Sequence, residues 1–238
     1  MSARIFRVEN IRLHLEPYRW AYAEAHDEAI RAHWRSLSAG NASLFDGRVL
    51  LMHRHAVVDD VLQGACFETA FSRFLAWRDF GFPDLAVRNV FGMAALRGSD
   101  GAYIVGQMGA RTSNAGQCYF PAGTPDLDDV RDGLVDLDGS VTRELLEETG
   151  IRAGEVRSSS GWIIVERGPR IACLRPTTLK TTAAKAASGI TATLARQHEP
   201  ELSAVHVVAD MAQARGLRMP DFMYDFFADA FGAADQPG

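Results

Sequence analysis

The segment Arg143-Glu144-Leu145-Leu146-Glu147-Glu148-Thr149-Gly150-Ile151 carries the densest chemistry in the chain. On a helix, positions i, i+3 and i+4 share one face, so the carboxylates of Glu144, Glu147 and Glu148 stack and repel one another. Arg143 reaches Glu147 at i+4, but one guanidinium does not neutralise three acids. A hard divalent cation does, and Mg²⁺ is typically held by a few carboxylates together with substrate phosphates. Leu145 points away from that face and anchors the helix. Gly150 supplies the left-handed residue of a C-terminal cap, and Ile151 its apolar contact. An acidic run is ordinarily a solvated surface. Here the added Arg, Leu, Gly and Ile at fixed offsets set the run apart.

Other reactive side chains give weaker signals. Glu199 and Glu201, in Gln197-His198-Glu199-Pro200-Glu201, precede a predicted strand and are candidates for a further metal ligand, weighed against a solvated loop. Arg111 is a candidate phosphate contact, weighed against an ordinary surface arginine. His53 and His55 alternate beside Asp59 and Asp60. A polar strand face is favoured there over a metal site. His206, in an apolar strand, reads as a satisfied core histidine, and Trp20, Trp34 and Trp77 read as core rather than as stacking platforms.

These residues need elements to position them. Residues 5–16 read as a strand and 18–37 as helical, with Trp20, Ala23, Ile30 and Trp34 near helical spacing. Val49–Met52 and a run near Val57–Leu62 read as a strand pair, and Phe67–Phe80 as a core-packed helix. Composition shifts at Gly81-Phe82-Pro83. Val90–Leu96 and Ala102–Met108 then flank Gly98-Ser99-Asp100-Gly101 as a hairpin. The acidic stretch Asp126–Asp138 leads into the helix that ends at Gly150. Gly161–Val165 and Arg170–Leu174 form a second predicted hairpin around Gly168-Pro169. Ala183–Gln197 reads as a helix and Ala204–Val208 as a strand. A final helix opens at Pro220 with Phe222, Met223, Phe226, Phe227 and Phe231 on one side.

Composition narrows the function classes. The 238 residues are 47% hydrophobic and 23% charged, an ordinary globular balance. A net charge of −5 argues against coating a nucleic-acid polymer, which needs a basic field. Of the 25 basic residues, 23 are arginine, which we read as composition bias before phosphate binding. Cys66, Cys118 and Cys173 form no CxxC or Cys/His cluster and read as reduced thiols. The charged N-terminal stretch is no signal peptide, and no apolar run approaches the ~18 residues that span a bilayer. The expectation is a cytoplasmic protein without a membrane partner.

RELLEETGI resembles the second half of the Nudix box, GX5EX7REUXEEXGU, in which U is a bulky aliphatic residue; every specified position of that half is present. Counted back from Arg143, the first half departs from the pattern: Val135 stands where the box has glutamate and Asp129 where it has glycine. The nearest suitable glycine is Gly123, in Phe120-Pro121-Ala122-Gly123-Thr124, six residues early. This reads as an insertion within Pro125–Leu137, with Asp136 or Asp138 partly replacing the missing glutamate.

The resemblance covers about residues 88–232. It implies an α+β fold, a Nudix-type α/β/α sandwich with a mixed sheet. Residues 1–87 read as an N-terminal α/β extension packed on a Nudix domain at 88–238. It further implies hydrolysis of a nucleoside diphosphate linked to another moiety, with Mg²⁺ or Mn²⁺ as cofactor. Glu144, Glu147 and Glu148 become metal ligands, one of them a general base, with Glu199 or Glu201 as a further ligand. Arg143 orients the glutamates. The layout of the N-terminal region is similar to a subfamily acting on UDP-glucose and UDP-galactose, so UDP-sugars are the first substrate expectation. The partner is a small nucleotide, and a homodimer is compatible with the family. The diverged first half of the box motivates a second reading, a nucleotide-binding module that does not hydrolyse. A third, an isoprenoid-diphosphate isomerase, calls for a pocket cysteine, and Cys118 is the nearest to the box.

Overall fold

Two β-sheets, rather than one, position the acidic helix. The computed structural model describes residues 2–41 and 43–232. In chain order its elements are β1 (Arg4–Val8), β2 (Asn10–Leu15), α1 (Ala21–Ala25), α2 (Asp27–Gly40), β3 (Arg48–Val58), β4 (Val61–Ala70) and α3 (Phe71–Asp79). Then come β5 (Asn89–Arg97), β6 (Tyr103–Met108), β7 (Cys118–Tyr119), β8 (Ala122–Gly123), β9 (Val130–Arg131), β10 (Leu134–Val135) and α4 (Leu137–Thr149). The chain continues through β11 (Val156–Ser158), β12 (Trp162–Arg167), β13 (Arg170–Leu179), α5 (Ala183–Leu194), β14 (Leu202–Val208), α6 (Met211–Arg215) and α7 (Asp221–Gly232).

The larger sheet has the order β1-β12-β13-β5-β6-β14, with β7, β8 and β11 paired off that path. It is mixed, because β13 runs parallel to β5 while the other pairs are antiparallel. Side chains alternate across a strand, so β5 serves two cores. Val90, Ala94 and Leu96 pack with Leu137, Val141 and Leu145 of α4 and with Ile190 of α5. Phe91, Met93 and Ala95 pack on the other face with Phe222, Met223, Phe226 and Phe227 of α7. A strand buried on both faces reads as a near-continuous apolar run, as β5 does. The expected α+β sandwich with a mixed sheet is observed.

The smaller sheet has the order β3-β4-β2-β10-β9. One face, with Leu13, Leu50, Met52 and Leu62, joins the core under α4. The other, with Val49, Leu51 and Phe67, is covered by Trp20, Ile30, Phe74 and Trp77 from the helices. Trp20 and Trp77 are buried, and both indole N–H groups donate to Asp84, to its carboxylate at 2.8 Å and its carbonyl at 2.9 Å. The 87/88 boundary falls between the two sheets except at two places. β1 pairs along its whole length with β12 of the larger sheet, and the β9–β10 hairpin joins the smaller one through Leu134↔His14. Residues 233–238 of the second expected unit lie outside the described residues.

Several boundaries differ from the sequence reading. The strand expected over 5–16 is two strands, parted at Glu9, that enter different sheets. The helix over 18–37 is two helices, α1 and α2. The run Val57–Leu62 contains a turn: Asp59 and Asp60 have φ of 49° and 57°, the left-handed pair of a two-residue hairpin loop. Phe67 lies in β4, and the helix expected from it begins at Phe71.

Candidate functional site

The hairpin β5–β6 is held together near its turn by the Arg97↔Tyr103 pair, and beyond it the strands splay. The chain 118–123 fills the gap: β7 pairs β6, and β8 pairs β5 through Gly92↔Gly123 and Met93↔Ala122. This places Ala122 and Gly123 directly under α4. The Asp136 carboxylate caps that helix by accepting from the Gly139 N–H at 2.9 Å, and Gly150 ends it at φ 74°.

Glu148 is buried at 4% exposure, and among the described residues its side chain accepts one hydrogen bond, a long one of 3.4 Å from the Ala122 N–H. Burial raises its carboxyl well above the ordinary range, and Glu144 adds to the rise. Glu144 packs so closely on Gly123 that a Cβ there would lie 2.2 Å from its Oε1. Burial pushes Glu144 up to about 7, against the pull of Arg143, while Glu147 and Glu201 push the same way. Glu147 points outward with a 58% exposed side chain, 3.6 Å from Arg143. Two of the three glutamates, Glu144 and Glu148, are thus brought together and the third stands aside. Among the described residues no three His, Cys, Asp or Glu side chains form a ready-made metal cluster. The donor set still suits a hard cation: one buried and one half-buried carboxylate, poorly compensated, at a surface where substrate oxygens would complete the coordination.

Arg143 is fixed from the side opposite Glu147. It donates to both oxygens of buried Asp129 at 3.0 and 3.2 Å and pairs with Glu144 at 3.0 Å. Asp129 also accepts from the Ser140 hydroxyl at 3.2 Å and from the Asp126 N–H at 3.2 Å. This corrects the expectation for Asp136 and Asp138. Asp136 is the helix cap, and Asp138 pairs with Arg175 at 3.0 Å. Counted forward from Gly123, GX5 ends at Asp128, and Asp129 follows at the position of the box glutamate. The six extra residues are Val130–Val135, the β9–β10 hairpin with its turn at Asp132-Gly133. Val135, at the glutamate position when counted from Arg143, is a core residue. Counting forward from Gly123 as well as back from Arg143 would have found Asp129.

The remaining candidates separate. Glu201 lies near enough to raise both Glu144 and Glu148. Glu199 pairs instead with Arg111 at 2.7 Å, both about half exposed. His53 stacks on Tyr18 with ring centroids 4.3 Å apart, and His55 bonds Glu166 at 3.1 Å. His206 is half-buried rather than core, and its Nε2 lies 2.9 Å from the Gln107 Oε1. Trp34 is also only half-buried, edge-on to Phe71. Cys118 is buried with Phe120 and Phe226 in the core under α7, and burial raises its thiol. Among the described residues no helix is long and apolar enough to cross a membrane.

A cavity of about 450 Å³ opens beside Gly123. Its walls come from both sheets' layers: Phe74, Arg78 and Asp79 of α3 on one side, Asn89 and Phe91 of β5 and Arg170 of β13 on the other. Its volume lies in the range of small-molecule sites. The sequence did not mark this cavity, because its residues are far apart in the chain.

No protein-family model matches the chain, and no curated protein matches it. Among solved structures it is similar to the MutT protein of Methanosarcina mazei Go1, at 18% identity and TM-score 0.42, over 63% of this chain and 96% of that one. It is similar to the Nudix hydrolase RenU of M. smegmatis, at 11% identity and TM-score 0.41, over 63% and 90%. It is also similar to DR0079 of Deinococcus radiodurans, at 12% identity and TM-score 0.46, over 78% and 99%.

Proposed function

We propose that the chain is a Nudix pyrophosphohydrolase, cleaving the diphosphate of a nucleoside diphosphate linked to another moiety with the help of a divalent metal. The observation that carries this reading is the pair of poorly compensated carboxylates, half-buried Glu144 and buried Glu148, set by RELLEETGI against the Ala122–Gly123 strand. Glu144 and Glu148 would hold the metal, with Glu147 or Glu201 swinging in as a further ligand. When bound, Mg²⁺ or Mn²⁺ supplies Lewis acidity to the phosphates and lowers the pKa of a bound water. Arg143, clamped by Asp129, keeps Glu144 oriented. A carboxylate beside the attacking water accepts its proton, and the pair has the raised affinity for protons that this step needs. Ala122 and Gly123 bring the backbone close to the acids, and a side chain at 123 would displace Glu144.

Turnover of a panel of UDP-sugars, ADP-ribose, NADH, coenzyme A and dinucleoside polyphosphates, with Mg²⁺ or Mn²⁺, tests the reading. UDP-sugars are the first expected substrates. Glu148→Gln should lower turnover by roughly 10²–10³-fold, several kcal/mol of lost metal assistance, while the fold survives. Undiminished turnover would refute the assigned role, and no turnover of any member by the wild type would refute the activity.

A further inference from the structure

We propose that the cavity between α3 and the larger sheet is the subsite for a phosphorylated half of the substrate, with Arg170 and Arg78 holding the phosphate and Asn89 reading a polar edge. This rests on the hydrolase reading above and deepens it.

Three observations carry the inference. First, Arg170 forms no ion pair among the described residues; Asp221, the carboxylate that acts on it, is itself paired with Arg167 at 3.3 Å. The Arg170 guanidinium lies over the Phe82 ring, 4.7 Å from the centroid, and its side chain makes no hydrogen bond among the described residues. Burial, with Arg78 and Arg167 nearby, holds the guanidinium below its ordinary pKa against the weaker pull of Asp221. Phe82 itself sits at φ 58°, an unusual backbone conformation for a bulky residue, and its ring meets Trp77 edge-on at 4.7 Å. The arginine is therefore held by an aromatic face that leaves its N–H groups available.

Second, the neighbouring cation is already balanced. Arg78 bonds Asp79 at 2.7 Å and the Asn114 Oδ1 at 3.2 Å. Asp79, in turn, lies 2.9 Å from the His33 Nε2. Burial opposes ionisation of Asp79, but Arg78 and His33 outweigh it and hold the carboxyl below its ordinary range. Arg78, Asp79 and Arg170 together leave one positive charge on the cavity wall.

Third, Asn89 is more than nine-tenths buried, lines the cavity, and its Oδ1 has no hydrogen-bond partner among the described residues. A buried amide without a partner is costly, and a ligand edge offering a donor removes the cost. An arginine fork suits phosphate, and the cavity is also lined by Gly123, which packs against Glu144 of the carboxylate pair. The ligand class is a phosphomonoester carrying a ring with hydrogen-bonding groups, and both a nucleoside 5′-monophosphate and a hexose 1-phosphate belong to it. Because Arg78 comes from α3, the N-terminal layer completes the site.

Calorimetry in EDTA with UMP, AMP, glucose 1-phosphate and inorganic phosphate tests this without turnover. At least one of the organic phosphates should bind the wild type, and which one identifies the half that is seated. Arg170→Met should weaken that binding about tenfold or more, and Arg170→Lys less. Asn89→Leu should weaken the organic ligands but not inorganic phosphate, with Tm unchanged or raised. Glu148→Gln should bind as the wild type does. No binding by the wild type, or equal binding by Arg170→Met, overturns the subsite. Monophosphate binding without hydrolysis of any diphosphate would overturn the activity and leave the subsite standing. Hydrolysis with KM unchanged in Arg170→Met would do the reverse.

Discussion

Glu166 on β12 and Glu144 on α4 are both acids set between packed layers, yet they are treated in opposite ways. Glu166 accepts from His55, 3.1 Å away, and pairs with Arg4, and the hydrogen bond from His55 leads in holding its carboxyl below the ordinary value. Glu144 has only a shared Arg143, and burial lifts it to about 7. Where an acid joins two layers, the fold supplies its counter-charge. At the carboxylate pair it withholds one. An under-compensated acid pair packed against a strand that lines a cavity is the kind of perturbed cluster that marks a candidate functional site.

The contrast predicts opposite pH responses. Glu144 has a folded pKa above its ordinary value of 4.5, so its contribution is fully present below 4.5 and is lost as pH rises through about 7. Metal-free protein should therefore lose up to about 3 kcal/mol between those limits. Denaturant titrations at several pH values in EDTA should show that slope, and Glu144→Gln should reduce it to the part that buried Glu148 contributes. An unchanged slope in the variant would break the comparison. Mg²⁺ should restore stability at pH 7 in the wild type and much less in Glu148→Gln.

The clamp behind the site comes next in size. Asp129→Asn removes the carboxylate from Arg143 and should cost about 2 kcal/mol in urea unfolding. That is less than a fully buried pair, because the Arg143 side chain is 38% exposed. Turnover should fall with it, since Glu144 loses its oriented neighbour. Asp136→Asn, which keeps an acceptor at the helix cap, should change little by comparison.

The smallest effect is at Glu166. Its folded pKa is lowered, so its stabilisation is present above 4.5 and is lost as pH falls through the folded value. Glu166→Gln should cost about 1 kcal/mol at neutral pH, since this is a partly solvated pair, and nothing in strong acid. A cost that persisted in strong acid would mean packing rather than charge.

What the sequence made legible was local. RELLEETGI announces its helix, its acid face and its cap within nine residues, and the phenylalanines of α7 announce theirs by helical spacing. The partner of Arg143 was not legible, because a hairpin separates Asp129 from the helix it serves and shifts the count by six. The strand–helix exchange at Phe67–Phe71 has a similar cause: aromatic residues suit a half-buried strand and a core helix alike, and pairing with β3 decides between them. The convergence of Glu144 and Glu148, with Glu147 left outside, depends on how the helix rolls onto β5 and β8. The cavity joins residues from 71 to 222, which no local pattern connects.

The pairing of β1 with β12 has a consequence for how the molecule is made. Arg4 registers with Glu166, so the N-terminal strand has no place in its sheet until more than two-thirds of the chain exists. Closing so long a loop is entropically late, and contacts of this separation slow folding. During synthesis the smaller sheet has β2, β3 and β4 early but must await β10, while β1 waits longer still. The seam that joins the first residues of the chain to the layer that carries Arg170 therefore closes after the smaller sheet has its strands, and β13, β14 and α7 are made later still.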